Sequence, residues 1–479
     1  MKGLAAREDG EDDGMRTALR LFKWLLGLLA VAIAGAALWL YVSPPALIRV
    51  GSNYAAKIIC SNVFIAGRDP QTVLERDVQA PGHPLLKLMS VRVEPSDATV
   101  HTGLFGVFGD GLAVYRGVTG CAAVPDGDVK AALGARFDRP EPASQGTDLW
   151  PDGPRIDVEG HELVAELLDD PALTGPGMRA VVVVQDGRII GERFGEDVAH
   201  YTQPLIGWSM TKTVTAALIG TRVKAGRLSV EDSNLFPEWA GDERSQITVA
   251  DLLAMESGLY FNEDYGDVSD VTRMLYLASD MPAFAADQKL EGPVGGVFNY
   301  SSGTSVLLSR VWQDTFSAPQ DALAWPYEAL FGPLGMDTAV FETDPRGTYA
   351  GSSNLYASAR DWAKFGQFLL QDGVWKGERI LPEGWVRWMR TPTEASGGEY
   401  GRQTWLHGPR ANTPRGVPED EGFNLPPDAF WMLGHDGQTI TVIPSLRMVV
   451  VRMGLTPSRL GYKPQALIEA LAKIPGEME

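Results

Sequence analysis

An apolar stretch near the N-terminus constrains this chain more than any other feature. Residues 24–42, from Trp24 to Val42, contain no charged side chain and are about as long as the roughly 20-residue helix that crosses a bilayer. Arg16, Arg20 and Lys23 precede them closely, and fewer basic residues follow. This bias predicts a cytoplasmic N-terminus. We therefore expect a single-pass anchor in the inner (cytoplasmic) membrane, with the rest of the chain in the periplasm.

Two other interpretations of this stretch stay open. A cleaved signal peptide has a similar apolar core, but here the leader is long and acidic, and residues 43–45 (Ser-Pro-Pro) lack a clear small-residue cleavage site. A buried helix of a soluble domain is the other interpretation. Trp39 and Tyr41 fit the aromatic belt of a membrane interface better than such a core.

Composition narrows the class of protein. The chain has 479 residues, 44% of them hydrophobic and 22% charged, which suits one large globular domain with attachments. Its net charge of −19 argues against a nucleic-acid partner, because such binding gains affinity mainly from Lys and Arg. The acidic run at residues 8–13 is predicted to be a solvated, disordered tail.

The two cysteines, Cys60 and Cys121, both fall on the predicted outer side of the membrane. In an oxidising compartment they can pair, which would stabilise the fold by roughly 4 kcal/mol in the chain-entropy model. Two buried free thiols are the alternative.

Four segments follow from these patterns. Residues 1–23 form a charged cytoplasmic tail and residues 24–42 the anchor. Residues 43–157 form an extracytoplasmic extension with short strands and a linker rich in Pro and Gly. Residues 158–479 form the main domain.

The order of secondary structure in the main domain predicts its fold class. β-Branched runs on both sides of Asp186-Gly187 predict a hairpin, and residues 211–224 predict a buried helix because they are apolar nearly all round. Strand-like residues 439–443 and 448–453 lie near the end. Strands at both ends and helices between them predict an α+β fold of the α/β sandwich type. Its antiparallel sheet is formed by both ends of the domain, with flanking helices and a helical subdomain.

The helix at residues 211–224 carries the first chemical signal. Ser209 precedes Lys212 by three positions, so both side chains can share one face. A serine hydroxyl needs a nearby base to become a nucleophile, and a buried lysine with a lowered pKa can supply one.

Two glycine-containing segments add to this signal. Tyr300 opens residues 300–303 (Tyr-Ser-Ser-Gly), and its phenol can pass a proton from a nucleophile to a leaving group. His435 lies in residues 434–438 (Gly-His-Asp-Gly-Gln), just before a strand whose edge can hold a substrate. Taken alone, the segment at Tyr300 fits a surface turn better than a catalytic site. His435 alone fits a structural histidine better than a catalytic one.

In this order and spacing, the three segments resemble the active-site motifs of the serine β-lactamase and penicillin-binding-protein superfamily. They look most like its class C branch, which includes esterases and 6-aminohexanoate-dimer hydrolases. The resemblance covers about residues 160–475. It extends beyond the motifs to residues 247–253, 257–259, 359–366 and 444–454.

The resemblance implies a role for each matching residue. Ser209 would be the acylated nucleophile, Lys212 its partner, and Tyr300 the general base and acid; which of Lys212 and Tyr300 takes the first proton stays open. Ser302 stands where the family has the Asn of its Y-x-N motif. The backbone N–H groups of Ser209 and Gln438 would form the oxyanion hole.

The third segment departs from the family in a way that bears on substrate. His435, Asp436 and Gly437 stand where K-T-G is usual. A histidine is mostly neutral at pH 7, so it attracts a substrate carboxylate less than the lysine does. We therefore predict weak β-lactamase activity and hydrolysis of small esters or linear amides. A D-amino-acid peptidase, a β-lactamase of the cell envelope and a non-catalytic sensor are the alternatives, and loops at residues 260–265 and 405–415 would decide among them.

Two other enzyme classes fit less well. The six histidines show no H-x-x-x-H spacing and the cysteines no C-x-x-C spacing, so we predict no metal and no cofactor. Thr211 replaces the second glycine of a G-x-S-x-G turn around Ser209, which disfavours an α/β-hydrolase.

Overall fold

A computed structural model of the chain describes residues 5–139 and 146–474, with side chains from Met15 onward. Its first element is helix α1 (Ala5–Val42). Residues 8–13 are helical in it, so the prediction of a disordered tail there is wrong. The helix begins well before the predicted anchor at residue 24, because no proline interrupts the chain between Ala5 and Val42.

The apolar part of α1 projects from the folded body, and Leu40 near its end packs against the apolar cluster of the following unit. Met15–Val42 has a stretch with a mean hydropathy of 2.3, none of which is buried. This helix is long and apolar enough to span a membrane, although a signal sequence has the same properties.

The predicted extension forms a small unit in which one helix packs on an antiparallel sheet of strand order β1-β2-β3-β4. The elements are α2 (Ala46–Phe64), α3 (Pro70–Val73), β1 (Met89–Glu94), β2 (Thr99–Leu104), β3 (Phe108–Tyr115), β4 (Cys121–Ala123) and α4 (Val129–Ala132). A disulfide joins Cys60 in α2 to Cys121 at the start of β4.

Three contacts hold this unit on the main domain. Trp208 of the main domain belongs to the same apolar cluster as Ile59 and Cys60 of α2. Lys57 pairs with the fully buried Glu342, which also accepts a hydrogen bond from the backbone N–H of Cys121 at 2.7 Å. The extension is thus part of one packed body with the main domain.

The main domain begins with two helices and a hairpin. Its strands are β5 (Met178–Gln185), β6 (Arg188–Phe194), β7 (Leu205–Ile206), β8 (Val340–Phe341), β9 (Leu355–Ala357), β10 (Val374–Trp375), β11 (Glu378–Arg379), β12 (Phe430–Gly434), β13 (Gln438–Ile443) and β14 (Met448–Gly454). The five-stranded sheet has the order β12-β13-β14-β5-β6, and every pair in it is antiparallel. This confirms a sheet built from both ends of the domain.

Helices fill the region between those strands. They are α5 (Glu162–Asp169), α6 (Pro171–Thr174), α7 (Thr211–Lys224), α8 (Val249–Ala254), α9 (Asp270–Leu277), α10 (Met281–Ala286), α11 (Ser302–Gln313), α12 (Pro319–Pro326), α13 (Gly332–Leu334), α14 (Ala359–Leu370), α15 (Trp385–Met389) and α16 (Gln465–Ala472). Helix α14 lies on the sheet, where Gly366 faces Val449 so closely that an added Cβ would be 2.4 Å from it. Helix α7 is buried over most of its length, as its apolar pattern predicts.

Candidate active site

A short strand, a tight turn and a buried helix place Ser209. Strand β7 ends at Ile206, and Gly207 then passes so close to the ring of Trp362 that a Cβ would lie 2.3 Å from it. Trp208 follows with a φ of +47°, in the left-handed region that a bulky residue rarely adopts. Such strain clusters at functional sites. The turn leaves Ser209 half-buried just before α7.

Lys212 contacts Ser209 directly. Its Nζ lies 3.0 Å from Oγ of Ser209, 3.1 Å from Oγ of Ser302 and 3.1 Å from the backbone oxygen of Ser352. The side chain is almost completely buried. Burial lowers the pKa of Lys212 to about 8, and the carboxylate of Glu263 opposes that shift. The amine is therefore partly neutral near physiological pH, and it touches the candidate nucleophile.

Tyr300 lies on the other side of the same amine. Nζ of Lys212 is 4.8 Å from the centroid of its ring, and its side chain is hydrogen-bonded to Ser209. Burial raises the pKa of Tyr300 and nearby Glu263 adds to the rise, while hydrogen bonds with Ser209 and Trp405 oppose it. The phenol therefore keeps its proton at neutral pH. The ring of Trp405 lies 5.1 Å away and helps to hold the ring of Tyr300 in place.

Ser302 has a partner that the sequence did not reveal. Its backbone N–H and its hydroxyl donate to the two carboxylate oxygens of Glu263, at 2.8 and 2.5 Å. Ser302 is the first residue of α11, so the carboxylate also lies at a helix N-terminus, where negative charge is favoured. Tyr265 lies within 3.3 Å of the same carboxylate. Glu263 and Tyr265 belong to the loop at residues 260–265, but no local motif marks either of them.

His435 stands at the edge of the site. Its ring is about half exposed, lies 5.2 Å from the ring of Tyr265 and 5.8 Å from that of Trp208, and is 3.5 Å from the carboxylate of Asp436. Asp436 and Gly437 both have positive φ, of 55° and 80°, which makes the sharp turn before β13. An imidazole beside a carboxylate therefore stands where the K-T-G motif would have a lysine ammonium.

A buried arginine supports that turn and was also missed. Arg452 in β14 is fully buried, and its guanidinium donates to the backbone oxygens of Gly437, Thr174 and Pro176 at 2.9 to 3.1 Å. Burial lowers its pKa to about 10. The side chain of Gln438 is engaged as well, since its Oε1 accepts from the backbone N–H of Gly454 at 2.7 Å. Only the main chain of Gln438 is left to face a substrate.

The structure thus brings Ser209, Lys212, Tyr300 and Ser302 into one cluster and leaves His435 at its rim. Within residues 5–139 and 146–474, no group of three or more His, Cys, Asp and Glu side chains is arranged to hold a metal ion.

A half-buried serine in contact with a buried lysine, beside an antiparallel sheet closed by both ends of its domain, defines the protein as a serine hydrolase. The chain belongs to the beta-lactamase family, which matches residues 168–463. It is 24% identical over 304 residues to a 6-aminohexanoate-dimer hydrolase from Paenarthrobacter ureafaciens, covering 58% of this chain and 72% of that one.

Two solved structures share the fold. A penicillin-binding protein homologue from Caulobacter crescentus has a TM-score of 0.50 at 17% identity, over 68% of this chain and 99% of that one. A family VIII carboxylesterase has a TM-score of 0.50 at 16% identity, over 67% and 99% of the two chains. The fold resemblance predicted from the three motifs is confirmed. The family match begins at residue 168, after α1 and the extension.

Proposed function

We propose that this protein hydrolyses small esters or linear amides through an acyl-enzyme on Ser209. The observation that carries the proposal is the 3.0 Å contact between Nζ of Lys212 and Oγ of Ser209. A base must lie within hydrogen-bond reach of the proton that it removes. The amine contacts neutral hydroxyl and carbonyl oxygens, and burial lowers its pKa to about 8, so it can act as that base.

The opposite pKa shifts support separate roles for two groups. Lys212, with a pKa of about 8, takes the proton of Ser209 as Oγ attacks the substrate carbonyl. Tyr300 keeps its own proton because burial raises its pKa, so it serves as the acid that protonates the leaving alcohol or amine. Lys212 then passes the proton that it took from Ser209 to the phenolate of Tyr300. Pairs of groups whose environments push their pKa values apart commonly divide acid and base roles in this way.

Deacylation completes the reaction. A water molecule attacks the acyl carbon, its proton passes to the same Lys212–Tyr300 pair, and Oγ of Ser209 leaves with a proton as the carboxylic acid departs. The backbone N–H groups of Ser209 and Gln438 are the proposed oxyanion hole. The buried Gln438 side chain and Arg452 support this by holding the turn that begins β13.

The rim of the site favours neutral substrates over anionic ones. His435 is exposed beside Asp436, so a substrate carboxylate would meet an imidazole and a second carboxylate in place of the lysine of the usual motif. This supports a class C branch esterase or amidase over a β-lactamase. The identity to a 6-aminohexanoate-dimer hydrolase is in line with linear amides as substrates.

The proposed location is the outer face of the inner membrane. The apolar part of α1 supports an uncleaved anchor, and the basic residues before it support a cytoplasmic N-terminus. The disulfide between Cys60 and Cys121 suits an oxidising compartment such as the periplasm.

Labelling and turnover together test the proposal. The full-length protein in an ester-free detergent should react with a fluorophosphonate probe and hydrolyse p-nitrophenyl acetate. Ser209→Ala should lose both properties, whereas Ser301→Ala, a change to the neighbouring cap of α11, should keep the labelling. An unlabelled wild-type protein, or full activity in Ser209→Ala, would contradict the proposed mechanism.

A further inference from the structure

A cavity of about 400 Å³ lies between the extension and the main domain, next to the active site. Volumes of this size are typical of small-molecule sites. Its two walls come from different parts of the chain. The extension contributes Leu47, Val50, Leu85 and Leu86, and the main domain contributes Trp208 and Tyr265. We refer to this cavity as the extension pocket.

The extension pocket lies beside the catalytic cluster, and residues next to that cluster line it. Trp208 immediately precedes Ser209 in the turn before α7. Tyr265 lies on the pocket and its hydroxyl is 3.5 Å from Oγ of Ser302. His435 also lines both places. The pocket is therefore near enough to Ser209 to hold part of a substrate that acylates it.

The interior of the pocket is apolar and its charges lie mainly at the mouth. The Asp, Arg and His side chains along it are His83, Asp267, His435, Asp436 and Arg459. Of these, only Asp436 is not exposed. Protein interiors contain few voids larger than a water molecule, and an unfilled apolar void costs stability. A cavity of this size with leucine and valine walls suits a flexible hydrocarbon chain.

The position of the pocket relative to α1 indicates where such a chain comes from. Leu47 is in the first turn of α2, which follows the apolar helix α1 after a short Ser-Pro-Pro connection. If α1 crosses the bilayer, one wall of the pocket stands close to the membrane surface. The exposed side chains of Leu88, Phe105 and Val107 belong to the same unit.

We infer that the extension pocket binds a linear aliphatic chain of the substrate, so that the enzyme prefers amphiphilic esters or amides to short ones. This inference rests on the proposed function. Ser209 attacks the carbonyl carbon, the bond from that carbon to the alcohol or amine breaks, and the leaving group takes a proton. Water then releases the carboxylic acid. The chain binds in a pocket that the extension, not the matched family region, completes.

Chain-length profiles test the inference with the full-length protein. One series is p-nitrophenyl acetate to octanoate, which varies the acyl side, and the other is ethyl to octyl acetate, which varies the leaving side. Each buried methylene should raise kcat/KM by up to about fourfold, until the chain fills the pocket. We expect such a rise in one of the two series, and that series identifies the side of the substrate that the pocket holds.

Two leucines of one short helix provide a matched pair of variants. Leu85 and Leu88 both belong to the 3-10 helix Pro84–Leu88, but only Leu85 lines the pocket, and Leu88 is 44% exposed. Leu85→Trp should lower the ratio of octyl to short-chain kcat/KM by at least about tenfold, as loss of a few methylene contacts predicts. Leu88→Trp should leave the ratio unchanged. Leu47→Trp fills the pocket from α2 and replaces Leu85→Trp in this test if that variant does not fold.

Two results would overturn the inference. One is hydrolysis of the acetate with no increase along either series, and the other is an equal loss in Leu85→Trp and Leu88→Trp. Failure to hydrolyse even the acetate would instead contradict the proposed function, and the inference would fall with it.

Discussion

The carboxylate of Glu263 accepts both the backbone N–H and the hydroxyl of Ser302, at 2.8 and 2.5 Å. The same hydroxyl oxygen lies 3.1 Å from Nζ of Lys212. One hydroxyl therefore separates a carboxylate from the candidate base, at the position where related sites have an asparagine. Glu263 is close enough to influence the pKa of Lys212 but does not form an ion pair with it within 4 Å.

Glu263→Gln should move the pH dependence of the reaction. Lys212 must be neutral to accept a proton, so kcat/KM should rise with pH through about pH 8. Glu263 raises the pKa of Lys212, so its removal lowers that pKa further. The acidic limb should then shift to lower pH, by up to about one unit. Asp264→Asn, which changes an exposed neighbour, should leave the limb in place; a shift to higher pH in Glu263→Gln would contradict the assignment of Lys212 as base.

Tyr300→Phe should slow hydrolysis by about 10²–10⁴-fold, the usual contribution of a positioned proton donor. The ring remains, so its packing on Trp405 is kept and the loss reports on the hydroxyl. Tyr400→Phe is the matched control, because the ring of Tyr400 also packs on Tyr300, at 5.9 Å. Equal effects of the two changes on steady-state turnover of a chromogenic ester would assign the loss to packing.

The wild-type protein should turn over nitrocefin far more slowly than its best ester. His435→Lys restores a full positive charge at the place where a β-lactam carboxylate binds in related enzymes. A charge-assisted hydrogen bond contributes about 1.5–3 kcal/mol, so kcat/KM for nitrocefin should rise about ten- to a hundredfold. His200→Lys makes the same substitution at an exposed position outside the catalytic cluster and its loops, and should give no such rise. Efficient nitrocefin turnover by the wild type would show that a lysine is unnecessary here.

Glu342→Gln should destabilise the protein by about 3–5 kcal/mol, because it leaves the charge of buried Lys57 without its partner. Ser61 and the backbone of Cys121 also donate to this carboxylate, at 2.8 and 2.7 Å. Denaturant unfolding followed by circular dichroism measures the change. Glu328→Gln, at an exposed position, should stay within about 0.5 kcal/mol of the wild type. Adding Lys57→Met to Glu342→Gln should recover part of the loss; no recovery would argue against an unpaired charge as the cause.

A reporter enzyme fused after Glu479 should be active outside the cytoplasm, while the protein pellets with membranes at full size. A shorter soluble form would show that residues 24–42 are a cleaved signal.

Without reductant, Cys60 and Cys121 should resist alkylation, and two modified thiols would contradict the disulfide in the native protein.

Local signals account for what was predictable from the sequence. The turn of the β5–β6 hairpin has positive φ at both Asp186 and Gly187, which is why an Asp-Gly pair marks it so clearly. Helix α7 has the bounds that its apolar pattern indicates. The spacing of Ser209 and Lys212 places their side chains together because one helical turn does so wherever it occurs.

The missed residues depend on contacts between distant segments. Glu263 lies in an irregular loop and meets Ser302 only after α11 has packed beside that loop. Arg452 looks like one polar residue in an apolar strand, and its role follows from the backbone oxygens that surround it in three dimensions. Trp208 has an unusual φ that no propensity of tryptophan suggests. Periodicity and local motifs describe single helices, strands and turns. The roles of Glu263, Arg452 and Trp208 depend instead on contacts between such elements.

The strand order β12-β13-β14-β5-β6 also constrains the timing of folding. The central strand, Met448–Gly454, is made long after Met178–Gln185, and β5 can pair with it only then. The edge of β5 that faces β14 therefore stays without its native partner while the helices between the two strands are being made. Such edges invite pairing with other chains, so this strand order exposes the protein to misassociation during its synthesis.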